Sequence, residues 1–255
     1  MRGISGKTAI VTGGGGGIGR AISQRLGEEG ATVGILDLNE EGANETASLI
    51  ATAGGSAHAY QTDITDYAAV TRAIDLFERD AAPVDILINN AGWDVAMPFL
   101  DTDPDLWRKI IDINLCGPLN LHHVVVSRMA QRKAGKVINI ASDAGRVGSS
   151  GEAVYAACKG GVIAFSKTLA REMARANVQV NCVCPGPTDT NLFRTFAGEG
   201  EAAEKLVTAL ERAIPMKRLG QPADYPGIVT FLASADADYI TGQTISVSGG
   251  LTMHG

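Results

Sequence analysis

Short apolar runs rich in β-branched residues alternate along the chain with longer segments in which apolar positions recur every three or four residues. The short runs predict strands at Thr8–Thr12, Thr32–Asp37, Ala57–Asp63, Asp85–Asn89, Lys136–Ala141, Gln179–Val183 and Thr244–Val247. Ile86-Leu87-Ile88 and Val137-Ile138-Asn139-Ile140 are almost continuously apolar, as expected of parallel strands covered on both faces. The longer segments predict helices over Ile18–Glu29, Asn39–Ala53, Asp66–Ala81, Pro104 to about Lys133, Glu152–Ala176, Glu201–Ala213 and Ala223–Ala233. Asp103 is placed to cap the fourth of these, with Pro104 at its first position. Regular alternation of strand and helix argues for an α/β doubly wound parallel sheet. No Pro-, Gly- or Ser-rich linker and no repeat divides residues 1–255, so a single domain is expected.

Composition narrows the function classes. A chain of 255 residues can bury roughly three quarters of its unfolded surface without a disulfide or metal staple. The net charge of −6, with no basic stripe, argues against a nucleic-acid partner. Cys116, Cys158, Cys182 and Cys184 form no Cys-x-x-Cys pair, so no metal is expected and the thiols read as reduced core residues. Met1–Lys7 has no signal-type apolar core, and no apolar run approaches the ~20 residues of a membrane span. The expectation is a cytoplasmic protein with no membrane contact.

The first candidate site is Gly13-Gly14-Gly15-Gly16-Gly17-Ile18-Gly19, between a predicted strand and a predicted helix. Glycines there permit positive φ and close approach of the backbone to a pyrophosphate, while the helix N-terminus offers N–H groups to it. Asp37 ends the next strand, 18 residues after Gly19. A carboxylate there can accept from an adenosine ribose and would repel a 2′-phosphate, and Leu38-Asn39 brings no basic residue. NAD is therefore expected over NADP; the alternative is that Asp37 only caps the following helix. Asp63 and Ile64 end the third strand and could meet the adenine, or simply enter the next helix.

A second group carries acid–base chemistry. Ser142 follows the fifth strand, Tyr155 comes 13 residues later, and Lys159 lies one helical turn beyond Tyr155 on the same face. Ligands in open parallel sheets bind outside the carboxyl ends of the strands, which puts Ser142 in the cleft. Oxidising a secondary alcohol needs a base for the hydroxyl proton. An unperturbed tyrosine is only about 0.1% ionised at pH 7, and a shift of ~2 units toward phenolate needs roughly 2.7 kcal/mol. A neighbouring Lys159 ammonium and a cationic ring are expected to supply it. Ser142 would hold the substrate oxygen. Asn114, polar among apolar residues of a predicted helix, could bind a water on the Lys159 side or be a satisfied core residue.

Thr12-Gly13-x-x-x-Gly17-x-Gly19, Asn89-Asn90-Ala91-Gly92, Asn114, Ser142, Tyr155-x-x-x-Lys159 and Pro185-Gly186 together resemble the short-chain dehydrogenase/reductase family over almost the whole chain. The resemblance implies a Rossmann-type fold with a seven-stranded parallel sheet, hydride transfer with NAD, a small-molecule substrate and a homotetramer. It makes Asn114, Ser142, Tyr155 and Lys159 the catalytic tetrad. By the same resemblance the cofactor would lie against Gly13, Gly17, Ile18, Gly19, Asp37, Leu38, Asp63, Ile64, Asn90, Gly92, Tyr155, Lys159, Pro185, Gly186, Thr188 and Thr190. Stretches such as Gly92-Trp93-Asp94, Ala156-Ala157-Cys158-Lys159-Gly160-Gly161, Cys184-Pro185-Gly186-Pro187-Thr188-Asp189-Thr190 and Ser248-Gly249-Gly250-Leu251-Thr252-Met253 are similar to members acting as 2-hydroxycyclohexanecarboxyl-CoA dehydrogenases in the breakdown of aromatic compounds. Other members oxidise 1-arylethanols or reduce 3-oxoacyl thioesters.

The family's variable lid would span about 191–219, where Leu192, Phe193, Phe196, Leu206 and Leu210 could wall a ring or acyl chain, or pack as ordinary helix residues. Trp93 could stack on a planar substrate, and Asp143, Asp94, Arg146 and Glu152 flank the expected cleft. Arg146, Arg194, Lys217 and Arg218 are the basic candidates for a CoA phosphate, a thin complement that keeps small aromatic alcohols in play. His122-His123 reads as packing or subunit interface. A non-enzymatic NADH sensor is the competing class; it has no use for a Ser142–Tyr155–Lys159 set.

Overall fold

The computed structural model describes residues 1–198 and 200–253, and the side chains of Phe196 and Ala202 lie outside that description. Among the described residues, seven strands form one sheet: β1 Thr8–Thr12, β2 Thr32–Asp37, β3 Ser56–Gln61, β4 Ile86–Asn89, β5 Gly135–Ile140, β6 Val178–Pro185 and β7 Thr244–Val247. Their order is β3-β2-β1-β4-β5-β6-β7, and the pairings are all parallel. The helices are α1 Gly17–Glu28, α2 Glu40–Thr52, α3 Tyr67–Asp80, α4 Pro104–Ile111, α5 Gly117–Leu121, α6 Ser127–Arg132, α7 Ala144–Val147, α8 Ala153–Met173, α9 Asn191–Ala197, α10 Glu201–Ala213 and α11 Pro226–Ala233.

The continuous apolar strands earn their place by feeding two cores. In β1, Ala9 and Val11 point to the layer of α1 and α11 with Ile22, Leu26, Val229 and Leu232, while Ile10 points to the opposite layer with Ile74, Phe77 and Met129. β4 divides the same way, Ile86 and Ile88 to one side and Leu87 to the other. Period-two geometry turns an unbroken apolar run into two buried faces. Each fully buried side chain of this kind is worth roughly 1.5–3 kcal/mol of transfer free energy.

Three expectations are corrected. The helix predicted from Pro104 to Lys133 is helical over nearly that length but not uniformly α. Wider π-type turns at Asp112–Cys116 and His122–Val126 separate α4, α5 and α6. Pro118 brings no N–H to the ladder, so a regular α-helix cannot run through it. Asp63 and Ile64 lie beyond β3, which ends at Gln61. The predicted strand Gln179–Val183 runs on to Pro185, because Pro185 still registers with Val247 on β7. The short α7 and α9 carry too few residues for periodicity to reveal them.

The topology fixes where a ligand can go. The chain leaves β3 at one edge and re-enters the sheet at β4, on the far side of β1. Loops after β1 and β4 therefore part at the carboxyl end of the sheet, and a crevice opens between them.

Candidate active site

That crevice is a cleft of about 1530 Å³ lined from the glycine loop, past Asp37 and Asp63, to Ser142, Tyr155 and Lys159. A small-molecule site is typically ~300–1,000 Å³, so the volume accommodates a dinucleotide with a substrate beside it. Gly13 has φ 63°, and a Cβ on it would stand 2.8 Å from Ala91 Cα. At Gly19 a Cβ would stand 2.1 Å from the Gly13 carbonyl oxygen, so the start of α1 can approach the loop only as glycine. Asn90 closes the seam by donating from Nδ2 to the carbonyls of Thr12 and Gly13, both at 3.1 Å. Thr12 Oγ1 accepts from the N–H groups of Asn90 and Ala91 at 3.0 and 3.1 Å.

The loop suits a phosphate group. The N-cap of α1 is Gly16, with no side-chain cap, so the first N–H groups of the helix face the cleft without a side-chain partner. Asp37 does not cap α2; Asn39 does, accepting from Gly42 N. Asp37 instead accepts from Gly15 N (2.8 Å) through Oδ2 and from Asn39 N (2.9 Å) through Oδ1. This holds its carboxylate at the cleft wall with lone pairs to spare for ribose hydroxyls. Asp63 is engaged by Thr65, whose N–H and hydroxyl both donate to Oδ1, while Ile64 is buried and meets the face of Gly117. Leu38, Gly17, Ile18, Asn90 and Gly92 line the same cleft; Gly19 does not.

Ser142 follows β5, and α8 lies alongside β6 so that Tyr155 and Lys159 face the same space. Lys159 donates from Nζ to Ile140 O at 3.1 Å, and its ammonium stands 5.5 Å from the Tyr155 ring centroid. Burial lowers the Lys159 pKa to about 8. The expected shift of Tyr155 toward phenolate includes the cofactor's cationic ring; the protein's own groups act in the opposite direction. Burial raises the Tyr155 pKa, the Glu152 and Asp94 carboxylates add to the rise, and the hydrogen bond with Ser142 opposes it. The protein alone thus keeps the phenol protonated, because desolvation outweighs a lysine placed over the ring rather than at the hydroxyl.

Asn114 sits in the first π-type turn, fully buried, and does not line the cleft. Its Oδ1 accepts from Trp93 N at 3.2 Å, and its Nδ2 donates to Trp93 O at 2.6 Å and Ile110 O at 2.9 Å. Of the two readings open for it, a water-binding amide or a satisfied core residue, these bonds favour the second: they tie Asn114 to the turn that carries Gly92 and Trp93, with its oxygen 3.0 Å from where a Gly92 Cβ would stand. Trp93 lines the cleft, and Lys109 Nζ lies 3.8 Å from its ring centroid. Lys109 is a basic group at the cleft that sequence reasoning missed, since nothing in the sequence pairs it with Trp93.

Pro185, Gly186, Thr188 and Thr190 continue the wall after β6. The Thr188 and Tyr225 hydroxyls are hydrogen-bonded, and Thr190 caps α9 by accepting from Phe193 N at 3.2 Å. Asp143 is buried; Oδ1 accepts from Ser246 Oγ and Oδ2 has no partner. Phe193, Leu206 and Leu210 reach the cleft as expected of a lid, whereas the Phe196 side chain lies outside the described residues. Leu251 and Thr252, more than 90 residues after Lys159, also reach it and were not legible as site residues. The basic candidates for a phosphate are mostly occupied: Arg194 pairs with Asp189, Arg218 with Asp224, Lys217 donates to Arg212 O, and Arg146 donates to Ser246 Oγ. His122 is buried packing, T-shaped on Phe165 and hydrogen-bonded to Pro118 O, and burial drives its pKa down to about 4.

Comparison with known proteins gives a consistent picture. Residues 13–252 match the family described as enoyl-(acyl carrier protein) reductase. An acetoacetyl-CoA reductase of Shinella zoogloeoides is 38% identical over 244 residues, covering 96% of this chain and 98% of the relative. A 3-oxoacyl-[acyl-carrier-protein] reductase FabG of Vibrio harveyi is 36% identical over 250 residues, covering 98% and 99%. Among solved structures, an NAD+-bound xylitol dehydrogenase superposes with TM-score 0.88 at 31% identity, covering 98% of this chain and 100% of that one. A 3-oxoacyl-[acyl-carrier protein] reductase with bound NAD from Brucella melitensis gives 0.89 at 33%, covering 98% and 92%.

Proposed function

The chain belongs to the short-chain dehydrogenase/reductase family, and from that premise we propose that it is an NAD-dependent oxidoreductase interconverting a secondary alcohol and its ketone. The observation that carries this reading is the single cleft that joins an uncapped helix N-terminus and a ribose-facing carboxylate to Ser142, Tyr155 and Lys159. When bound, NAD supplies the hydride acceptor of the oxidation, or the donor in reverse.

The protein's own contributions follow from the geometry. Ser142 donates to the substrate oxygen and holds it beside the Tyr155 hydroxyl. Tyr155 exchanges the proton with that oxygen; kept neutral by burial, it is the proton donor for reducing a ketone. Lys159, held by Ile140 O, keeps a cation beside the phenol and limits the cost of ionising it in the oxidative direction. Asn114 fixes the Gly92-Trp93 turn against this group. Asp37 favours NAD over NADP, because its carboxylate accepts from ribose hydroxyls and opposes a phosphate.

For the substrate, the favoured reading is a ring alcohol or ketone next to an acyl thioester, as in 2-hydroxycyclohexanecarboxyl-CoA. Trp93, Leu206 and Leu210 give the cleft an apolar side for a ring. A second reading, an open-chain 3-oxoacyl thioester, is favoured by the relatives that reduce acetoacetyl-CoA and 3-oxoacyl carrier proteins. The test is turnover of the purified protein with NAD+ and a panel of ring and open-chain hydroxyacyl thioesters, 1-arylethanols and simple secondary alcohols, read by NADH absorbance. Ring thioesters are expected to give the highest kcat/KM. No turnover with any alcohol, or with any ketone and NADH, overturns the reading and leaves an NADH-binding sensor.

A further inference from the structure

Two carboxyl groups stand on the cleft wall beside Tyr155, and the proton-transfer reading uses neither. Asp94 follows the Gly92-Trp93 turn after β4, and Glu152 precedes α8, one helical turn before Tyr155. Their segments are tied together by the Met97 N–H donating to Gly151 O at 2.9 Å. Both residues line the cleft with Ser142 and Tyr155. Asp94 is 4% exposed, and its Oδ2 is buried with no hydrogen-bond partner. Glu152 and Lys159 are the neighbouring charges that act on the Asp94 carboxyl group, with opposite signs. Burial, followed by the proximity of Glu152, raises the Asp94 pKa to about 7. A folding chain gains nothing by burying a carboxyl group with an idle oxygen next to a second one, since desolvation and like charge both oppose it.

We propose that the Asp94–Glu152 carboxyl pair selects substrates by charge, admitting those whose group beside the carbinol carbon is uncharged, such as an ester or thioester, and rejecting the corresponding free carboxylate. The inference rests on the secondary-alcohol reading given above. A substrate whose oxygen is held by Ser142 and Tyr155 carries its neighbouring substituent into the space these carboxyl groups border, because Asp94 and Glu152 line the same cleft as Ser142 and Tyr155. Once Asp94 ionises, above about 7, a substrate carboxylate meets like charge across a poorly solvated gap. Among the described residues no arginine lines the cleft; its basic groups are Lys109, which lies over the Trp93 ring, and Lys159, which donates to Ile140 O. An uncharged carbonyl meets no such repulsion.

The experiment compares ethyl 2-hydroxycyclohexanecarboxylate with its free acid, as kcat/KM in NAD+ between pH 6.0 and 8.5, for the wild type, Asp94→Asn and Glu152→Gln. The expected ester-to-acid ratio at pH 8.5 is about tenfold or more in the wild type. It falls by about threefold or more in either variant. In the wild type it also narrows toward pH 6.0 as Asp94 gains a proton, while the substrate acid stays ionised; this pH dependence is expected to flatten in Asp94→Asn. A wild-type ratio near one, or a ratio unchanged in both variants, overturns the proposal while leaving the dehydrogenase reading intact. If neither compound is oxidised, their affinities for the NADH-bound protein are compared by calorimetry. Equal dissociation constants then overturn the charge selection, whereas absence of turnover with every alcohol bears only on the functional reading. Glu152 is half-buried, so Glu152→Gln carries the test if Asp94→Asn fails to fold.

Discussion

Asn114 holds Trp93 by both of that residue's backbone polar groups, accepting from its N–H at 3.2 Å and donating to its carbonyl at 2.6 Å. A side chain that replaces a strand partner in this way fixes the turn between β4 and the cleft. Asn114→Leu would leave the half-buried Trp93 N–H and C=O without their side-chain partner, at a cost of about 1 kcal/mol. Urea denaturation should show that loss, and KM should rise more than kcat falls, because the displaced groups are Gly92 and Trp93 rather than the proton-transfer residues. A fall in kcat alone would return Asn114 to direct chemistry.

Tyr155→Phe should reduce kcat/KM by about 10²–10⁴, the range of a lost general acid or base. Affinity for NAD+ should stay within a few-fold, since the cleft's phosphate and ribose ends are untouched. Stopped-flow turnover and calorimetric NAD+ binding check the two halves separately. Near wild-type turnover would mean that another group moves the proton.

Asp37→Ala removes a carboxylate whose hydrogen bonds to ribose hydroxyls would each be worth about 1.5–3 kcal/mol. The kcat/KM ratio of NAD+ to NADP+ should fall by about ten- to a hundredfold, through both a weaker NAD+ and a less excluded NADP+. An unchanged ratio would place cofactor choice elsewhere, the nearest candidate being Arg20, which donates to Gly15 O and pairs with Glu45.

The raised pKa of Asp94 makes a stability prediction with a definite sign. Between its ordinary value of 3.8 and about 7, the folded chain holds a proton that the unfolded chain has released. Folding stability therefore falls as pH rises through that window and is flat above it. Asp94→Asn removes the ionisation, so the variant should gain about 1–3 kcal/mol on the wild type at pH 8 relative to the comparison at pH 4. Guanidinium denaturation at the two pH values measures the difference. Equal differences at both would mean that the carboxyl titrates normally.

Gly19→Ala tests the seam on which the cofactor end depends. The added Cβ would stand 2.1 Å from a carbonyl oxygen that belongs to backbone and cannot rotate away, so α1 must retreat from the loop. NAD+ affinity should drop by about tenfold or more, with a smaller loss of thermal stability. Gly16→Ala, where nothing lies within 4 Å of the added atom, provides the contrast and should leave stability nearly unchanged.

The chain's hydrophobic pattern was enough to predict the alternation of strands and helices, because Ile86-Leu87-Ile88 and Val137-Ile138 can be buried only between two layers. Glycines, Asp37, Ser142, Tyr155 and Lys159 were legible for a local reason: each is tied to the end of a strand or the face of a helix, and that position follows from chain spacing. What spacing cannot reach is contact between segments distant in sequence. Asn114 met Trp93 through a π-type turn, Lys109 came to lie over Trp93, Leu251 and Thr252 closed the cleft from the far end of the chain, and Asp94 was brought to Glu152. The direction of the Tyr155 shift was also beyond the sequence. It is decided by how much water and how many carboxylates surround the hydroxyl, and both are properties of the packed cleft rather than of any residue's neighbours along the chain.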